Sequence, residues 1–135
     1  MSKFTKRIQK TVKKIVSNCI VVGIDQENIE YVTETFKTVF YIDSTTVLPR
    51  ARNLIPIQEI SFLYDIAEID AIFLNQRYDG NVLQFITPLS RHSSPVIFLK
   101  DEFPLSTEYI EMFKRIRYEM ITNLDTYQVW KAIRK

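Results

Sequence analysis

The chain has 135 residues, 46% of them hydrophobic, and a formal net charge of +2. That length suits one domain, spanning 1–135, with a single core, and that apolar content favours folding over disorder. Only Gly23 and Gly80 are glycine, which excludes the Gly-rich phosphate loops of P-loop ATPases, nucleotide kinases and ordinary dinucleotide dehydrogenases.

No apolar run approaches the roughly 20 residues that a membrane helix needs. The basic start is amphipathic, unlike a signal peptide, whose basic residues lead straight into an apolar stretch. A lone cysteine, Cys19, has no internal disulfide partner, so the sequence predicts a reducing, cytoplasmic setting. Cys19 itself reads as a small core residue. Charge is uneven: residues 1–16 carry six basic residues and no acid, whereas the rest holds 12 basic against 16 acidic residues.

Phe4, Ile8, Val12, Ile15 and Val16 recur at helical spacing, which predicts a basic amphipathic helix over 3–16. Residues 19–24, CIVVGI, predict a strand buried on both faces, with Asp25 as cap of the next helix. That helix carries Ile29, Val32 and Phe36 on one face. Residues 38–42, TVFYI, are the next strand, ending at Asp43. The stretch 44–68 has no clear period; Pro49 and Pro56 break it, and Leu54–Ile60 suits a short edge strand. An apolar edge near Leu54–Leu63 would be a surface for homo-oligomer formation.

Residues 70–74 are a buried strand, followed by a helical pattern through Val82, Leu83, Phe85, Ile86 and Leu89. Residues 95–99, PVIFL, are a further buried strand. Pro104 and Ser106 open a helix through Tyr109, Ile110, Phe113 and Ile116. Tyr118–Leu124 reads as a strand, and 126–135 fits a helix or a strand equally. Alternating strands and helices predict an α/β fold with a mostly parallel, doubly wound sheet and helices on both faces. Ligands in such sheets bind beyond the carboxyl ends of the strands, near the switch in strand order. The residues at those ends are Gly23-Ile24-Asp25, Asp43-Ser44, Asn75-Gln76-Arg77, Lys100-Asp101-Glu102 and Asn123.

Two families resemble this pattern. "DAIFLNQRYDGNVLQFI" followed by "PVIFLKDE" looks like the third strand, loop and fourth strand of a response-regulator receiver domain, with Asp25 and Glu27 as its acidic pair. There Asn75 falls at the phosphoacceptor position, Lys100 at the hydroxyl position and Asn123 at the lysine position. That resemblance implies a non-enzymatic binding or scaffolding module with a final helix.

The class I S-adenosylmethionine-dependent methyltransferases resemble more of the chain. "CIVVGIDQENIEYVTETFKTVFYID" is similar to that family's first strand, loop, helix and second strand. "IDAIFLNQRYDGNVLQFITPLSRHSSPVIFLKDEF" is similar to its fourth strand, turn, helix and fifth strand, closed by Asp101. "YEMITNLDTYQVWKAIRK" suits its C-terminal antiparallel hairpin, joined around Leu124-Asp125. The resemblance implies S-adenosylmethionine as cofactor, contacted by Gly23, Asp25, Asp43, Ser44 and Asn75. Asp43 would accept hydrogen bonds from the ribose hydroxyls, and Asn75 would line the reaction side. The first loop keeps one glycine where the family has several, so an active methyltransferase and a catalytically degenerate one both stay open.

Other chemistry has little support. His92 is the only histidine and lies in the polar run RHSSP, without a nucleophile and acid nearby in the sequence. One Cys and one His do not make a zinc site, and Asn75 beside Asp101 and Glu102 is a poor set for a hard cation. The lysine face, with Lys3, Lys6, Arg7, Lys10, Lys13 and Lys14, reads as a solvated helix face, a patch for nucleic acid or an acidic protein partner, or a surface for an anionic membrane.

Overall fold

In a computed structural model, which describes residues 6–7, 18–24, 29–44, 53–57, 69–75, 94–100, 106–124 and 126–133, seven strands form one sheet. They are β1 (Asn18–Ile24), β2 (Thr38–Ser44), β3 (Leu54–Pro56), β4 (Ala71–Leu74), β5 (Val96–Lys100), β6 (Tyr118–Leu124) and β7 (Tyr127–Ala132). Two described helices join them, α1 (Ile29–Thr35) and α2 (Ser106–Arg115).

The order across the sheet is β3-β2-β1-β4-β5-β7-β6. The first five strands in that order are parallel. β7 enters antiparallel between β5 and β6, which makes the C-terminal hairpin. The chain therefore runs outward from β1 through β2 to β3, returns to β4 beside β1, and runs outward the other way. In sheets of this kind ligands bind at such a reversal, which here is the carboxyl ends of β1 and β4. The fold is α/β, Rossmann-like and doubly wound.

The three central strands are apolar because both faces are covered. Ile20 and Val22 of β1 join Ile72, Leu74, Ile97 and Leu99 in one core, which Tyr109 and Phe113 of α2 cover. Cys19 and Val21 join Ala71, Phe73 and Phe98 in the other, which Val32 of α1 and the following Phe36 cover. Period-2 alternation thus sends successive side chains to opposite cores. Each of the large side chains so buried contributes about 1.5–3 kcal/mol.

The observed elements differ from the sequence reading in places. β2 runs to Ser44 rather than stopping before Asp43, because its ladder with β1 continues to the pair Ile24 and Ser44. The edge strand expected at Leu54–Ile60 is three residues long, and its last, Pro56, is exposed and has no N–H to give. β5 starts one residue later than expected, with Pro95 before it. The last segment is a strand, so the final helix implied by the receiver resemblance is not what forms. Lys6 and Arg7 are helical and exposed; the rest of the expected 3–16 helix lies outside the described residues, as do Asp25, Gln76–Arg91, His92 and Asp101–Leu105. No described helix is long and apolar enough to cross a membrane.

Leu54, Ile55 and Ile57 on the β3 edge are half-buried and pack against the two cores. At the opposite edge, Glu119 to Asn123 of β6 are all exposed, although Tyr118 and Leu124 at its ends are buried.

Candidate functional site

Three strand ends meet at the reversal point. Val22 pairs with Ile42 and with Leu74, and Ile24 pairs with Ser44. Gly23 therefore lies level with Asp43 on β2, and Asn75 follows the end of β4 on the other side of β1. The structure brings together Gly23, Asp43, Ser44 and Asn75 at the level of the backbone. Asp25 lies outside the described residues.

Gly23 is buried and has φ 93°. An L-residue with a Cβ is strained in that left-handed region, so glycine fits here for a backbone reason.

Asn75 is tied to β1 twice. Its backbone N–H donates to the carbonyl of Val22 at 3.0 Å. Its side-chain Nδ2 donates to the carbonyl of Gly23 at 3.1 Å. The second contact fixes the amide orientation, because a carbonyl only accepts and Oδ1 in its place would offer no proton. Oδ1 then points the other way, where the hydroxyl of Tyr127 donates to it. A phenol has one proton. With that proton on the Asn75 bond, the Tyr31 hydroxyl donates to the Tyr127 oxygen at 2.5 Å. The result is a directed chain from Tyr31 through Tyr127 and Asn75 to the Gly23 carbonyl. It links α1, β7, β4 and β1.

The rings that carry these hydroxyls are held by an aromatic layer. Phe73 stacks on Phe98 with centroids 4.4 Å apart and planes at 5°. Tyr127 meets both edge-on, at 5.8 Å and 6.1 Å. Tyr31 lies 6.1 Å from Phe73. The sequence reading does not single out Tyr31 or Tyr127. The available signal for Tyr127 is a tyrosine opening a segment that also carries Val129 and Trp130, where burial requires a partner for the hydroxyl.

Cys19 lies at the other end of β1 and is fully buried. Burial, and then the Asp70 carboxylate, push its thiol well above the ordinary range. It stays protonated and acts as a core residue, not a nucleophile. Asp70 is itself buried and accepts from the Asn18 N–H at 3.0 Å. Among the described residues no three His, Cys, Asp or Glu side chains gather as a metal site.

No family model and no curated protein matches the chain. Two solved structures share its fold. One is a protein of Streptococcus mutans assigned to the methyltransferases, in complex with S-adenosylhomocysteine; it is 12% identical, the match covers 97% of this chain and 98% of that one, and the TM-score is 0.54. The other is an rRNA methylase of Streptococcus thermophilus, also 12% identical, with 98% and 97% covered and a TM-score of 0.54. At this identity the likeness establishes a methyltransferase-like fold.

Proposed function

We propose that this chain is a methyltransferase-like protein that binds S-adenosylmethionine at the carboxyl ends of β1, β2 and β4. The observation that carries the reading is the strand order, which reverses between β1 and β4 and sets a positive-φ glycine at that reversal. When bound, the cofactor supplies an electrophilic methyl group on a sulfonium sulfur. The chain's part is binding and orientation. Asp43 accepts from the ribose hydroxyls, with Ser44 beside it. Gly23 admits the cofactor close to the backbone, with Asp25 two residues further on, and Asn75 borders the side where a methyl acceptor sits.

Isothermal titration with S-adenosylmethionine tests the reading. Saturable binding is expected, and Asp43→Ala should weaken it by about a hundredfold or more, since two hydrogen bonds to a charged acceptor are worth about 3 kcal/mol at least. Absence of heat at millimolar cofactor would overturn the reading. An unchanged affinity in Asp43→Ala would show that another group holds the ribose.

A second reading is favoured by Asn75, whose amide already bonds on both sides. In that reading the fold serves as a non-enzymatic binding module whose strand ends are closed by their own hydrogen bonds. The partner class for either reading is nucleic acid or an acidic protein surface, met by Lys3, Lys6, Arg7, Lys10, Lys13 and Lys14. Phosphate contacts of that kind weaken steeply with salt, so binding of a mixed-sequence RNA should fall as salt rises and fall again when these residues become Gln.

A further inference from the structure

We propose that Tyr127 and Asn75 form a positioning latch, through which the C-terminal hairpin holds the Gly23 carbonyl and so sets the end of β1 for the cofactor. The inference rests on the cofactor reading above for its purpose, but its geometry stands apart from it.

Asn75 is the link. The hydrogen bond from its Nδ2 to the Gly23 carbonyl spans 52 positions, and so does the bond from Tyr127 to its Oδ1. Gly23 has no side chain to anchor it, and its φ of 93° is one that glycine leaves easily. The peptide that follows Gly23 lies in the β1–β2 ladder through Ile24 and Ser44, and the bond to its carbonyl holds it from the β4 side as well. Asn75 supplies that bond from the β4 side; the Gly23 carbonyl, which only accepts, sets the amide orientation, and the Tyr127 hydroxyl donates to the Oδ1 this leaves on the far side. Tyr31 completes the orientation by donating to Tyr127. Removing the Tyr127 hydroxyl leaves its ring on Phe73 and Phe98, so Tyr127→Phe subtracts the orienting bond and little else.

Neither residue is assigned contact with a reacting atom by this inference. Both act on Gly23, and Asn75 is the nearer of the two. The isosteric Asn75→Asp separates positioning from bulk. Ionised, the new carboxylate keeps an acceptor for Tyr127 but sets an oxygen against the Gly23 carbonyl. Protonated, the carboxyl regains a donor for that carbonyl.

Two measurements on the full chain test the latch. The first is the affinity for S-adenosylhomocysteine by titration calorimetry. Tyr127→Phe is expected to weaken it about fivefold, and Asn75→Asp about tenfold at pH 8 with recovery as the pH falls and the carboxyl is protonated. The second needs no cofactor: the 15N shift of the Ile24 amide, whose nitrogen is bonded to the Gly23 carbonyl carbon. It should move in both variants, and in Asn75→Asp it should titrate back toward the wild-type position as the pH falls, a step absent from wild type and separate from those that Asp25, next in sequence, and Asp43, level with Gly23 on β2, give in both proteins. A merely structural loss lowers the unfolding temperature without producing that titration.

An Ile24 amide that stays at its wild-type position in both variants overturns the latch. Movement of Ile24 with unchanged affinity overturns its service to the cofactor. If wild type binds no S-adenosylhomocysteine yet Ile24 titrates in Asn75→Asp, the cofactor reading fails and the latch holds. If Asn75→Asp does not fold, Tyr127→Phe alone decides both points.

Discussion

The hydroxyl of Tyr118, the first residue of β6, donates at 2.8 Å to the carbonyl of Pro95, the residue before β5. These two strands are not neighbours, since β7 lies between them. The bond therefore ties both flanks of β7 together at the foot of the sheet. Burial raises the Tyr118 phenol well above its ordinary value near 10. Tyr118→Phe should cost about 1 kcal/mol, the net worth of one buried hydrogen bond, and urea unfolding at pH 7 measures it.

The same residue, with Cys19, sets the alkaline limit of the fold. Both groups hold their protons more tightly when folded than when unfolded. Below about pH 8.5 both states carry both protons, and neither group changes stability with pH. Above it the unfolded thiol ionises first, near 8.5, and the unfolded phenol follows near 10. Each ionisation favours the unfolded chain. The urea midpoint should be flat with respect to these two groups from about pH 7 to 8 and fall between about pH 9 and 11, under reductant to keep the thiol free. Cys19→Ala should remove the earlier part of that fall and Tyr118→Phe the later part. An unaltered profile in both variants would show that neither buried proton limits stability.

Asn53 closes the end of α1. Its Nδ2 donates to the carbonyls of Thr33 and Phe36, each at 3.0 Å, one proton to each. These are among the carbonyls that a helix cannot satisfy internally at its C-terminus. Its own carbonyl accepts from the Val39 N–H at 2.7 Å, so the same residue starts the pairing of β3 with β2. Asn53→Ala should cost about 1–2 kcal/mol in chemical denaturation. Asn53→Asp should cost more, because it sets a charge against two carbonyl oxygens. An aspartate variant as stable as the alanine one would mean that the chain relaxes away from those carbonyls.

The sheet was legible in the sequence where strands are buried on both faces. CIVVGI, AIFL and VIFL are short apolar runs, and no helix of that length would bury every side chain. The local pattern of 126–135 left helix and strand open, while the methyltransferase resemblance implied the antiparallel hairpin that forms. Val129 and Trp130 are adjacent and both buried, so β7 lacks the alternation that marks a strand with one wet face. Asn53 lay in a stretch with no period at all, and its role comes from partners 17 and 20 positions away. The placement of Gly23, Asp43 and Asn75 at neighbouring strand ends follows from the strands alone. That of Tyr31 and Tyr127 does not, because 96 positions separate the two hydroxyls and only the completed sheet brings them together.

Arg117 follows α2 with φ 63°. This is the position where helices commonly end on a left-handed glycine. Its N–H bonds back to the Lys114 carbonyl at 3.2 Å, and its own carbonyl accepts from the Ile133 N–H at 2.8 Å, which fixes the turn into β6. An L-residue held there costs about 1 kcal/mol, while glycine adds entropy to the unfolded chain. Arg117→Gly should therefore stabilise by roughly 0.5 kcal/mol, read as a higher urea midpoint. A lower midpoint would mean that the arginine side chain contributes more than the backbone strain costs.

Phe73 is the residue through which the core reaches the reversal point. It is fully buried, stacks on Phe98, meets Phe36 edge-on at 5.7 Å and carries the rings of Tyr127 and Tyr31. Phe73→Ala should cost about 3–5 kcal/mol, as a buried aromatic truncation does. Phe113, buried in the opposite core against Tyr109 and Trp130, should cost about the same when truncated to Ala. The two variants differ in what they do to the site. Without Phe73 the Tyr127 ring loses its floor, the hydroxyl drifts from Asn75, and the Ile24 amide shift should move. In Phe113→Ala it should stay in place, because that face carries none of the hydroxyl chain. Equal movement in both variants would show that the aromatic layer under the reversal point has no special hold on it.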